Sequence, residues 1–134
     1  MAGYANTPLP AKLGIRTGHR VAVLGGALPG GLPPDVTAVD SLTGPLDVVV
    51  VFVTARADLA HHLPRVRAAM APAAGFWVAW PKKAAVKAGL ADPTDMTEDA
   101  IRDLALPTGL VDNKVCAIDD VWSGLRLVIR RELR

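Results

Sequence analysis

Few residues in this 134-residue chain have the type and spacing to bind or react, and most of them follow apolar runs. Gly25-Gly26-Ala27-Leu28-Pro29-Gly30-Gly31 comes directly after Arg20-Val21-Ala22-Val23-Leu24. A glycine-rich turn can cradle a phosphate when successive N–H groups converge and a helix starts behind them. Prolines at 29, 33 and 34 exclude that helix, so the same residues also read as a plain connector. Lys82-Lys83 follows the apolar run Phe76–Trp80. In open α/β sheets, ligands bind outside the carboxyl ends of the strands. Two lysines there could hold a small anion, or one could act as a base if buried; a solvated pair opening a loop is the plainer reading. Thr54 ends the run Leu46–Val53 on the same edge. Asp40 ends a short strand after the glycine loop, where an acid could hydrogen-bond ribose hydroxyls or simply make a turn. Gly25, Gly26, Asp40, Thr54, Lys82 and Lys83 are thus the candidate ligand-binding set. Asp95 and Thr97 could pair with Lys82 and order a lid, or cap a helix.

Other reactive side chains point to no chemistry. His61 and His62 are adjacent, whereas helical metal ligands need a spacing of three or four to share a face. His19 stands alone. Cys116 is the single cysteine, which rules out an intramolecular disulfide and a multi-cysteine zinc site; between Val115 and Ala117 it reads as a buried, inert thiol. Ser123 lacks the G-x-S-x-G elbow of a hydrolase nucleophile. No paired acid and base emerges, so no catalytic residue, metal or cofactor is assigned.

The elements that position these residues come from the hydrophobic pattern. Leu46–Val53 does not alternate, so it is expected to be a central strand buried on both faces, as in a parallel sheet under helices. Arg20–Leu24 and Val36–Asp40 are shorter strands. Phe76–Trp80 is another interior strand, with Trp77 and Trp80 facing opposite layers. Leu59, Leu63, Val66 and Met70 form one stripe of a helix over 57–71, which Pro64 is expected to break or kink. Residues 81–94 read as a loop. Thr97 is expected to cap a helix carrying Glu98 and Asp99 in its first turn, favourable at the positive end of the dipole. Val111–Ile118 and Leu125–Arg130 form a final antiparallel pair, and the alternation of Leu125, Leu127 and Ile129 with Arg126, Val128 and Arg130 fits an edge or half-exposed position. Pro10–Gly14 reads as one helical turn, within or just after an irregular arm over residues 1–10. The expected fold is one α/β domain over 1–134: a three-layer, Rossmann-like sheet, mostly parallel, with an antiparallel C-terminal strand and no helix in its first crossover.

Composition narrows the functional classes. Hydrophobic residues make up 51% and charged residues 21%, enough for a real core. A mean hydropathy of +0.29 implies a sheet covered on both faces, self-association as a homodimer, or both. A net charge of +2 and 4% aromatics argue against nucleic acid, which wants a dense basic stripe or stacking platforms. The N-terminus shows no basic-then-apolar signal, and no apolar stretch nears the ~20 residues of a membrane span, so a cytoplasmic location is expected.

Two resemblances bear on the fold. The order of elements from Leu46 onward, and Leu13-Gly14-Ile15-Arg16-Thr17-Gly18-His19-Arg20-Val21 before the first strand, resemble a class I methyltransferase domain. That family follows its first strand with a Gly-rich turn opening a helix, whose N–H groups receive the cofactor; the turn here departs from it. The segments Leu46–Thr54, Trp77–Lys83 and Asp112–Asp119 with Trp122–Leu125 are similar to a family of small bacterial domains of unknown function. The resemblance implies a degenerate methyltransferase-like fold and supplies no catalytic residues. Together these features imply a non-catalytic binding or regulatory protein, with a protein partner or a second copy of itself as target. The alternative is a protein or enzyme that binds a small anion, a nucleotide or S-adenosylmethionine at the carboxyl edge of the sheet.

Overall fold

The structure is a computed structural model, and it describes residues 7–134. The N-terminal arm lies largely outside the described residues, and the helical turn starts slightly early, as α1 (Leu9–Lys12), with Pro10 in its first turn where a missing N–H costs nothing. Six strands follow: β1 (Arg20–Leu24), β2 (Thr37–Val39), β3 (Leu46–Phe52), β4 (Met70–Pro81), β5 (Leu110–Ala117) and β6 (Trp122–Ile129). They form one sheet in the order β2-β1-β3-β4-β6-β5. The pairs among β2, β1, β3 and β4 are parallel; β6 pairs antiparallel with both β4 and β5.

The dense β-branched run of β3 supplies two cores at once. Val49 and Val51 face one layer, with Phe76, Val78 and Trp80 of β4 beside them. That layer is covered by α2 (Arg56–Ala69) and α4 (Glu98–Ala105), which contribute Leu59, Leu63, Val66 and Ile101. Val48, Val50 and Phe52 face the other way, with Trp77 and Ala79. There the cover is Leu13 and Ile15 after α1, and Leu28 from the connector between β1 and β2. The connector carries no helix, as its prolines require. Trp77 and Trp80 thus occupy opposite layers, and the Trp77 indole N–H donates to the Leu13 carbonyl at 2.9 Å, tying α1 to the sheet.

Four local expectations are corrected. α2 runs unbroken through Pro64; Pro64 and Ala60, the residue whose carbonyl loses its N–H partner there, both lie on the exposed side, where water can replace the missing donor. β4 begins at Met70 rather than Phe76, taking in residues 70 and 71 expected in the helix and the four residues between that helix and the expected strand. The loop after β4 contains α3 (Lys83–Lys87). Of the two places expected for β6, the edge is excluded, since it is interior. Its alternation has another cause: Arg126 lies across the backbone of Gly75, where a Cβ would meet its guanidinium at 2.5 Å, so this face of β6 is covered by a charged side chain rather than by a helix. No helix among the described residues is long and apolar enough to cross a membrane.

Candidate ligand-binding site

The strand order reverses between β1 and β3, and the crevice outside their carboxyl ends is where an open α/β sheet takes a ligand. Gly25, at φ +77°, makes the turn out of β1. What it meets is the chain itself. A Cβ on Gly25 would stand 2.5 Å from the Phe52 carbonyl oxygen, and one on Gly26 would stand 2.8 Å from the Phe52 ring. The Phe52 ring is in turn met edge-on by Trp122, with centroids 5.1 Å apart. The two glycines let β1 turn tightly over an aromatic pair.

Two hollows open on this edge. The first, about 440 Å³, lies at the switch point and is lined by Gly25, Thr54, Asp58, Asp92 and Trp122 among others. The second, about 680 Å³, lies past the end of β4, between α3 and the segment entering α4. Its lining includes Arg56, Trp80, Lys83, Lys87 and Met96. Asp40 faces neither; it borders a third hollow of about 340 Å³ with Val39 and Leu32. The predicted set is therefore divided. Gly25 and Thr54 meet in the first hollow, Lys83 lies in the second, Asp40 in the third, and Gly26 packs on Phe52. Lys82 lines none of the three and leads into α3, its N–H donating to the Val121 carbonyl at 2.8 Å.

Asp95 does not pair with Lys82. Its carboxylate accepts the Arg56 backbone N–H at 2.8 Å, and its carbonyl accepts Arg56 Nε at 2.7 Å, which fastens the 94–97 segment to the start of α2. Thr97 caps α4, its hydroxyl oxygen accepting the Ala100 N–H at 3.0 Å. Thr94 donates its hydroxyl to the Thr54 carbonyl at 2.6 Å. Glu98 is engaged by Arg102 at 2.9 Å, and the same guanidinium reaches Asp112 at 3.0 Å and Asp99 at 3.1 Å. Its hydrogen bond to Asp112, above all, raises the Arg102 pKa. Lys83 and Lys87, four apart on α3, have no carboxylate within ion-pairing distance among the described residues.

Arg56, Trp80, Lys87 and Met96 were not anticipated at this edge. The Lys-Ala-Ala-Val-Lys spacing at 83–87 was the available signal, since residues four apart share a helix face. Away from the edge, the His61 and His62 rings lie edge to face at 5.5 Å. His62 Nδ1 is buried without a partner; burial, then His61 and Arg65, lower its pKa. Cys116 is half-buried rather than buried, and desolvation pushes its thiol up.

No protein-family model and no curated protein matches the sequence. Solved structures do match it. The chain is similar to mitomycin 7-O-methyltransferase at 13% identity and TM-score 0.60, over 84% of this chain and 49% of that one. It is similar to N,N-8-amino-8-demethyl-D-riboflavin dimethyltransferase from Streptomyces davawensis at 19% identity and TM-score 0.59, over 82% and 49%. It is also similar to magnesium protoporphyrin IX methyltransferase from Synechocystis PCC 6803 with bound SAH, at 13% identity and TM-score 0.56, over 84% and 74%. It spans about half the length of the first two of these. The chain has the α/β, Rossmann-like fold of the class I methyltransferases, a mostly parallel sheet ending in antiparallel strands.

Proposed function

We propose that this chain is a non-catalytic binding domain built on the methyltransferase fold, taking a small ligand at the carboxyl edge of its sheet. The observation that carries this reading is the seat of Phe52 on Gly25 and Gly26. The methyltransferase resemblance implies a turn whose N–H groups open toward a cofactor and whose helix follows at once. Here the turn closes on an aromatic ring, and the chain continues into a connector that buries Leu28 in the core. Binding energy at this edge then serves retention and recognition, with no reacting group required.

A second reading, S-adenosylmethionine binding, is favoured by the hollow at the switch point. It holds Gly25 and Thr54 together, and its roughly 440 Å³ lies within the usual range for small-molecule sites. Titration calorimetry with S-adenosylmethionine and its demethylated product decides between them. The binding-domain reading expects no heat of binding at micromolar ligand. Micromolar affinity for either compound replaces it with the second reading.

A further inference from the structure

We infer that the hollow beside α3 is a site for a small apolar carboxylate, an aryl or alkyl acid, held with its hydrocarbon on Trp80 and its carboxylate between Lys83 and Lys87. This rests on the binding-domain reading above and names the class of ligand. The floor is apolar: Trp80 is 8% exposed and Met96 4%, with Pro81 and Val86 beside them. The rim is cationic. Lys83 and Lys87 stand four residues apart on α3, so their ammonium groups project from one face and both border the hollow. The acids that line the same hollow have other partners. Asp95 accepts the Arg56 backbone N–H, and Glu98 is paired with Arg102. Around the hollow, Arg56, Lys83 and Lys87 set three positive charges against the two carboxylates of Asp95 and Glu98, and neither lysine is in an ion pair among the described residues.

The two halves of the site select one chemistry. Inorganic phosphate would answer the lysines but leave Trp80 and Met96 uncovered. A neutral hydrocarbon would cover the floor and gain nothing from the ammonium groups. A carboxylate on an aromatic or alkyl body does both, and charge-assisted hydrogen bonds are about twice as strong as neutral ones. The volume, about 680 Å³, leaves room for a ligand of this kind, since small-molecule sites run from about 300 to 1,000 Å³.

The test is calorimetry on the full chain with three probes: naphthalene carboxylate, its neutral carboxamide and inorganic phosphate. The carboxylate is expected to bind about tenfold more tightly than the carboxamide, the equivalent of about 1.4 kcal/mol, with no heat from phosphate. The double variant Lys83→Gln/Lys87→Gln is expected to bring the carboxylate down to the affinity of the carboxamide. Both lysines are exposed, so its melting temperature stays with that of the parent. Should the double variant not fold, Lys87→Gln alone is expected to weaken the carboxylate about threefold and leave the carboxamide unchanged. Equal affinity for carboxylate and carboxamide, phosphate binding as tightly as the carboxylate, or lysine variants that bind like the parent each overturn the assignment. None of these results bears on the binding-domain reading, which falls only if S-adenosylmethionine or its product binds the parent chain.

Discussion

Replacing Gly25 by alanine tests whether the glycine turn exists to approach Phe52. Two costs add. At φ +77° a residue with a Cβ is strained by about 1–2 kcal/mol from steric contact with its own backbone. The same Cβ would stand 2.5 Å from the Phe52 carbonyl oxygen, a backbone atom at the end of β3 that pairing with β4 holds in place. Relief requires a shift of the backbone, and overpacking of that kind costs about 1–3 kcal/mol. Gly30 provides the control. Its φ is +79°, yet nothing lies within 4 Å of a Cβ built there, so Gly30→Ala carries the conformational cost alone. The difference between the two variants isolates the contact. It is expected at about 1–3 kcal/mol by urea unfolding, which for a domain of this size places Gly25→Ala about 3–15 °C below Gly30→Ala in melting temperature. Two variants within about 0.5 kcal/mol of each other, the ordinary spread of neutral substitutions, would refute the packing account of the turn.

Three further outcomes follow from local geometry. Pro64→Ala restores an N–H to an otherwise continuous helix, and thermal melts should show a gain of about 1–3 kcal/mol, since proline inside a helix costs about 3. Trp77→Phe leaves the Leu13 carbonyl without its donor, which should cost about 1–3 kcal/mol in urea unfolding. Burial of His62, with His61 and Arg65 nearby, lowers its pKa in the folded state, so the unfolded chain takes up the proton first. Stability should therefore be full above the ordinary imidazole value and fall as pH drops through about 6.5, and His62→Gln should flatten that slope in melts from about pH 7.5 to pH 5.5.

The sheet was legible where burial on both faces writes itself into composition. From Val48 on, β3 is an unbroken apolar run, as is the second half of β4, and no surface position tolerates that. For β6 the sequence leaves an edge and a half-exposed place open, because alternation reports only that one face lacks an apolar cover. An edge strand and an interior strand roofed by Arg126 give the same pattern. Pro64 misled because its cost depends on whether the stranded carbonyl meets water, which is a property of the packed helix. At the candidate site, Lys83 and Thr54 are legible because each follows an apolar strand by two residues. Arg56, Lys87 and Met96 escaped because α2, α3 and the 94–97 segment are distant in sequence and meet only in the tertiary fold. The glycine pair was recognised as a turn, but its partner, Phe52, lies on a neighbouring strand and leaves no mark on the local sequence.

The two margins of the sheet differ in construction but share an effect on self-templated growth. β2 contributes three residues, too short to seed a cross-strand ladder with another molecule. β5 is longer, but its register shifts between Asp112 and Lys114, which leaves one extra residue and twists the free side of the strand. Lys114, exposed beside that bulge, adds a charge that an incoming strand would have to bury. A chain this rich in valine thus keeps its most aggregation-prone segment, β3, in the middle of the sheet and exposes only margins that resist amyloid-like extension.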